Sequence, residues 1–121
     1  PDPVTRACQI MAAAIDEPVS CGRIAELVGV SERQLQRLFL QRFGHGMAQN
    51  YHLLRMKRAH QLVQQTDLPI TEIAVACGFN SLEVFSRAYR KAFNVPPSRD
   101  RRQSTDSSVY RRVPPVRRRM I

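Results

Sequence analysis

The stretch IAVACGFNSLEVFSRAYRKAFNVPP, residues 73–97, decides the fold because an earlier part of the chain repeats its pattern. The copies match at an offset of 49 at first, through Ile24, Ala25 and Gly29 in one and Ile73, Ala74 and Gly78 in the other. After one extra residue they match at an offset of 50, through Ser31, Leu35, Arg37, Phe39 and Phe43 against Ser81, Phe85, Arg87, Tyr89 and Phe93. Each copy is a short helix, a turn with glycine and a longer helix opened by serine, the pattern of a helix-turn-helix.

Apolar residues recur at helical spacing along most of the remaining sequence, and signals of β-strands are nearly absent. The capping serines and the Pro and Gly stops then predict an all-α fold. Ser20 and Ser31 are expected to cap helices, and Gln34 to complete a capping box with Ser31. The predicted helices span 4–16, 21–28, 31–43, 47–66, 70–77 and 81–94.

The long helix predicted at 47–66 joins the two copies. Its 20 residues contain no Pro or Gly and correspond to a rod of about 30 Å. We therefore expect a first lobe at about 4–44 and a second at about 70–102, with about seven helices in all. The segment 103–121 is rich in Ser, Arg and Pro and is predicted to be a disordered basic tail. This tail either strengthens non-specific attraction to phosphates or is inert.

Arg55 falls in the middle of the wide apolar arc of this long helix. A buried guanidinium without a partner is very costly, so we predict a structural ion pair with Glu26 or Glu72. Contact with DNA is the alternative.

The net charge of +9 is unevenly distributed: residues 1–94 carry 11 basic and 8 acidic side chains, and residues 95–121 carry 8 and 2. Such an excess favours a polyanion such as nucleic acid, or an anionic membrane surface. No apolar run approaches the ~20 residues of a membrane span. The chain begins Pro-Asp-Pro and is interpreted as a piece of a longer protein.

Catalysis and metal binding are not expected. The three cysteines, Cys8, Cys21 and Cys77, lack metal-ligand or disulfide spacing, which indicates a reducing, cytoplasmic setting. No phosphate loop, nucleophile elbow or paired carboxylate site is present in the sequence, and no cofactor is predicted. An enzymatic interpretation would need an activated thiolate, for which no neighbouring His or acid pattern exists.

The second helix of each copy presents a polar face opposite an apolar arc that is expected to be buried. The arcs consist of Leu35, Leu38, Phe39 and Phe43 in the first copy and of Phe85, Ala88, Tyr89, Ala92 and Phe93 in the second. A solvated surface is the simpler interpretation, but two equivalent faces near capped helix starts favour readout of bases in the DNA major groove. Arginines suit guanine, Gln suits adenine and Glu suits cytosine, whereas serine can pair with several bases. The predicted base-contacting residues are Arg33, Gln36, Arg37, Glu83, Ser86 and Arg87, and the predicted phosphate contacts are Ser31, Ser81 and Arg90. Leu82 either touches a thymine methyl group or closes the turn.

The motif from Ile73 to Pro97, preceded by a helix with Leu54, Arg55 and Ala59, resembles the AraC/XylS family of bacterial transcription regulators over about residues 5–102. The resemblance implies sequence-specific binding of double-stranded DNA by helices 31–43 and 81–94, in consecutive major-groove segments. By position it implies base contacts at the same residues and at Leu82. Asn94 replaces the usual glycine, and the pair Leu82-Glu83 is atypical at the start of the last reading helix.

The family also implies partners outside this chain: RNA polymerase and an N-terminal sensing or dimerisation domain. Residues 65–79 and 98–102 resemble the subgroup fused to a DJ-1/PfpI amidotransferase-like domain. The competing hypothesis is a basic helical module that binds protein or RNA without sequence-specific DNA readout, motivated by the basic tail and the wide apolar arcs.

Overall fold

The computed structural model describes residues 1–106, with side chains described up to Arg101. This part of the chain is entirely α-helical, which confirms the predicted fold class. Its helices are α1 (Pro3–Ala13), α2 (Cys21–Val28), α3 (Glu32–Phe43), α4 (Met47–Gln65), α5 (Ile70–Ala76), α6 (Leu82–Phe93) and α7 (Pro97–Asp106).

Helices α2, α3 and α6 each begin with a serine cap and end at a residue in the left-handed conformation. The hydroxyls of Ser20, Ser31 and Ser81 each accept a hydrogen bond from the amide three residues later, as a helix N-cap does. Gln34 does not complete the predicted capping box, because its side-chain oxygen accepts from Arg37 instead. At the other end of α6, Asn94 adopts the left-handed φ of 64° that glycine adopts elsewhere.

Helix α1 ends at Ala13, earlier than the predicted end near residue 16. The hydroxyl of Tyr51 donates to the carbonyl of Ala14 at 2.5 Å and accepts from the amide of Val19 at 3.0 Å. A distant side chain therefore replaces the hydrogen bonds that a longer α1 would make. Sequence periodicity carries no information about such a contact.

The chain forms two compact units, Pro1–Arg55 and a second that begins at Met56, so the boundary falls inside α4. The 19-residue α4 is nevertheless one continuous helix. In the first unit, α1, α2 and α3 enclose a core whose fully buried members include Ala7, Met11 and Ile24.

In the second unit, the last half of α4 takes the part that α1 plays in the first. Its buried Met56, Ala59 and Val63 have the spacing of Val4, Ala7 and Met11 in α1. His60, in the same part of α4, stacks on Phe93 of α6. Each unit is thus a three-helix core followed by the start of a further helix, α4 or α7.

A polar cluster around the buried Tyr89 joins α4, α6 and α7 within the second unit. Tyr89 is fully buried and donates to Asp100 Oδ2 at 2.6 Å, while His60 Nδ1 lies 3.1 Å from the tyrosine oxygen. Burial and the hydrogen bond to Asp100 raise the pKa of Tyr89, so its hydroxyl remains a donor.

Arg101 holds the end of α4 as Tyr51 holds the end of α1. Its guanidinium donates to the carbonyls of Leu62, Val63 and Leu68. The carbonyls of Leu62 and Val63 lie in the last turn of α4, where a cation complements the helix dipole, and that of Leu68 follows the helix.

Helix α7 extends to Asp106, so the expectation of a disordered tail is not met at residues 103–106. Once Pro97 has opened this helix, no Pro or Gly follows before Asp106 to end it. The rest of the predicted tail, 107–121, lies outside the described residues.

The two hydrogen bonds of Tyr51 yield the first test. Tyr51→Phe keeps the buried ring but leaves the Ala14 carbonyl and the Val19 amide without this partner. We expect the free energy of unfolding to fall by ~1–3 kcal/mol. Urea denaturation measures the change, and a variant as stable as the parent chain would contradict the role of the hydroxyl.

The left-handed conformation of Asn94, which ends α6, yields a second test. Asn94→Ala is expected to lower the free energy of unfolding by ~1 kcal/mol, because alanine tolerates a positive φ poorly. Asn94→Gly is expected to match or slightly exceed the parent. Equal stability of the two variants in urea denaturation would refute the backbone argument.

Candidate nucleic-acid interface

The second helix of each repeat, α3 or α6, begins after a tight turn that has one hydrogen bond in common between the copies. Gly29 and Gly78 have φ values of 90° and 82°, which favour glycine. Beyond each glycine, the amide of Val30 or Phe79 donates back to the carbonyl of Ala25 or Ala74. The Ala-Gly spacing noticed in the sequence is therefore what closes the turn.

In α3, two fully buried side chains fix which face points outward. Leu35 and Phe39 are 0 % exposed, whereas Arg33 and Arg37 are exposed. Phe43, expected on the buried arc, is 41 % exposed and stacks on His45. It lies at the last turn of α3, where the core of the unit no longer covers it.

Two predicted base-contacting residues of α3 already make contacts within the first unit. Arg37 donates to the side-chain oxygen of Gln34, one turn earlier. Gln36 is half-buried, and its Oε1 accepts a hydrogen bond of 3.0 Å from the backbone amide of Met47. The contact of Gln36 was not anticipated, since the sequence does not show that α4 starts beside the second turn of α3.

Helix α6 repeats the division of faces with different chemistry. Phe85 and Tyr89 are fully buried, as expected. The residues predicted to contact DNA lie on the remaining surface: Leu82, Glu83, Arg87 and Arg90 are exposed and Ser86 is half-buried. Where α3 offers Arg33, α6 thus offers Glu83, while Arg37 and Arg87 are equivalent.

The predicted phosphate contacts lie at the helix starts. Ser31 and Ser81 are exposed and use a hydroxyl lone pair to accept from the amides of Gln34 and Val84. A hydroxyl that accepts in this way retains its hydrogen for donation to a phosphate oxygen. The helix N-terminus adds favourable electrostatics for an anion.

Arg55 is half-buried and takes part in interactions within the described chain. Of its two predicted partners, Glu26 forms an exposed ion pair with Arg23, and Glu72 is exposed. The pairing of Arg55 with a carboxylate remains a prediction.

Two thiols have properties unlike those of a nucleophile. Burial raises the pKa of Cys8 and of Cys21, which disfavours the thiolate that an enzymatic interpretation requires. Among the described residues, no three potential ligands come together as a metal site. None of the described helices combines the length and the apolar character that crossing a membrane requires.

The sequence pattern did not predict the contacts between helix ends and side chains distant in the chain. Besides Tyr51 and Gln36, Arg42 donates to Asp2, which caps α1, and to Thr5. The hydrogen bond from Arg42 and that from the Thr5 amide lower the pKa of Asp2 to about 2. The Asp2-Pro3 pair is typical of a helix start, although the sequence analysis did not use it, and nothing in the pattern indicates the arginine.

Two helix-turn-helix units, each with a serine-capped second helix that exposes a polar face, define a double helix-turn-helix protein. A family model described as "Helix-turn-helix domain" matches residues 24–103. The chain belongs to this family, in its AraC-type branch, as its sequence resemblance indicated.

The relatives include two regulators from Pseudomonas aeruginosa. The "HTH-type transcriptional regulator ArgR" is 42 % identical over 107 residues, which make up 88 % of this chain and 32 % of the relative. The "HTH-type transcriptional regulator GbdR" is 46 % identical over 95 residues, covering 78 % and 25 %. The chain thus spans a quarter to a third of the length of these relatives.

A solved structure from Chromobacterium violaceum, described as a transcriptional regulator with an AraC-type DNA-binding domain, has the same fold. It is 45 % identical, and the TM-score is 0.81, with 88 % of this chain and 95 % of the other covered. The alignment includes nearly the whole of that chain, so the shared fold is that of the complete solved structure.

Proposed function

We propose that this chain is the DNA-binding part of a bacterial transcription regulator, with α3 and α6 reading consecutive major-groove segments of one double-stranded promoter or operator site. The observation that carries the proposal is that α3 and α6 each have a buried apolar face opposite an exposed polar face. Each second helix buries two large side chains and exposes a polar face beginning at its capped N-terminus. In helix-turn-helix proteins this part of the helix enters the major groove.

The exposed side chains give the two halves of the site different chemistry. Arg33 and Arg37 suit guanine, whose O6 and N7 accept two hydrogen bonds from one guanidinium. Glu83 suits the amino group of cytosine, and Arg87 suits a second guanine. With Leu82 and Ser86 also facing bases, and Ser31, Ser81 and Arg90 holding phosphates, the target is asymmetric. Gln36 lies on the same face of α3, but its side-chain oxygen already accepts from the Met47 amide.

Partners beyond DNA follow from the family. We infer a sensing or dimerisation domain elsewhere in the full protein, because the matched region makes up only 32 % and 25 % of the two named relatives. The DJ-1/PfpI type of that domain, and RNA polymerase as a partner, are inferred from the family resemblance alone. The role is regulatory, without a catalytic step, and places the protein on the nucleoid in the cytoplasm.

Selection of duplexes from a random pool tests the proposal. We expect a bipartite motif whose half-site centres lie about 10 base pairs apart, since one helical turn separates equivalent groove positions. Affinity for the selected duplex should exceed that for scrambled DNA by ~10³-fold or more and fall steeply with salt.

Arg37→Ala should relax the preference at one base pair and weaken the binding free energy for the selected duplex by ~1–3 kcal/mol. The matched control is Arg42→Ala, on the same helix but bonded to α1, which should leave base preference unchanged. Equal affinity for selected and scrambled duplexes would contradict the proposal, and tighter binding of RNA than of DNA would favour the competing module.

The start of α6 gives a separate test of phosphate contact. Aspartate and asparagine both cap helices well, so Ser81→Asp and Ser81→Asn should keep the free energy of unfolding within about 0.5 kcal/mol of the parent. Only the aspartate variant places an anion beside the phosphates, and its affinity should fall at least about tenfold relative to the asparagine variant. Similar duplex affinities would show that Ser81 lies away from the backbone.

A further inference from the structure

A side-chain hydrogen bond joins Gln36 in α3 to the buried start of α4. Met47 is the first residue of α4 and is fully buried, so its backbone amide lies where water cannot readily replace a lost acceptor. Gln36 Oε1 accepts from that amide at 3.0 Å. The side chain thereby links the second turn of α3 to the first turn of α4.

Gly46 makes room for this bond. Its φ is not positive, so its backbone does not call for glycine. A Cβ added at Gly46 would lie 2.9 Å from Gln36 Oε1, closer than such contacts normally occur. The absence of a side chain at Gly46 therefore matches the position of the Gln36 oxygen.

The second unit provides an internal comparison, since residues 50 positions later are equivalent. Gln36, Gly46 and Met47 correspond to Ser86, Pro96 and Pro97. Pro97 is the first residue of α7 and is buried, as Met47 is in the first unit, but proline has no amide hydrogen. The second unit, which lacks the amide donor of Met47, also lacks the long acceptor side chain of Gln36 and the glycine at position 46. The two units therefore differ at all three positions together.

The bond competes with the base contact expected of Gln36. Recognition of adenine by glutamine uses the side-chain oxygen to accept from N6 and the nitrogen to donate to N7. In the first unit that oxygen already satisfies a buried amide. Its second lone pair is free, but the side chain cannot turn toward a base without leaving the amide unpaired.

We propose that Gln36 is a positioning residue, which holds α3 in register with the start of α4, and that base readout by α3 rests on Arg33 and Arg37. In the second unit the counterpart of Met47 is Pro97, which has no amide hydrogen, so Ser86 accepts no equivalent bond and remains a base-contacting residue. This inference rests on the proposed DNA-binding function and narrows the reading face of the first unit.

Amide hydrogen exchange in the free protein tests the bond. Gln36→Met keeps length and volume but removes the acceptor, and we expect the Met47 amide to exchange about fivefold to tenfold faster. Gln36→Glu keeps an acceptor oxygen and should restore slow exchange. Ser86→Ala, the equivalent change in the second unit, should leave Met47 unaffected. Unchanged exchange in Gln36→Met would overturn the proposal.

Gly46→Ala provides a second route to the same state, because the added Cβ displaces the Gln36 oxygen. It should speed Met47 exchange as Gln36→Met does, and the double variant should be no faster than either single one. Additive effects would show that the two residues act independently and would contradict the proposal.

Base preference separates positioning from readout. In duplex selection, Gln36→Met should recover the motif of the parent chain with every preferred base retained, while affinity for the selected duplex falls severalfold. Ser86→Ala should relax one position. Loss of preference at a single base pair in Gln36→Met would overturn the inference and restore Gln36 as a base reader. If the parent chain selects no motif, the proposed function fails, whereas the exchange measurements still decide the bond.

Discussion

Burial of two side chains one turn apart is the constraint on which each repeat depends. Leu35 and Phe39 in α3, and Phe85 and Tyr89 in α6, have no exposed surface. Rotating either helix about its axis would bring at least one of them into water, at a cost of ~1.5–3 kcal/mol for each apolar side chain exposed. The polar face is therefore oriented by the core and not by its own interactions.

The ends of the helices show how the two units keep one geometry with different residues. Tyr51 and Arg101 are equivalent in the repeat, and each donates to carbonyls at the end of the first helix of its unit. The same requirement for donors is met by a neutral hydroxyl in one unit and a cation in the other. Asn50 and Asp100 are also equivalent, but the first donates to sulfur atoms and the second accepts from Tyr89.

These differences explain how far the sequence allowed prediction. The repeat, the serine caps and the glycine turns are local signals, and the helices they predicted, such as Cys21–Val28 after Ser20, are present. The end of α1 and the partner of Gln36 depend on side chains 37 and 11 residues away in the chain. Local periodicity cannot encode such pairs. The order and type of the helices were therefore predictable, whereas the end of α1 and the hydrogen bond of Gln36 were not.

Divergence between the copies also bears on how a duplicated motif comes to read an asymmetric target. An exposed position such as Arg33, which is Glu83 in the second copy, can change without disturbing the core, because water solvates the charged side chain in either unit. A position such as Gln36 is bound to a buried amide and changes only together with its partner, as Ser86 and Pro97 show. Within one reading face, base specificity is therefore free to diverge at the exposed arginines and restricted at the half-buried glutamine, although both lie on the same helix turn.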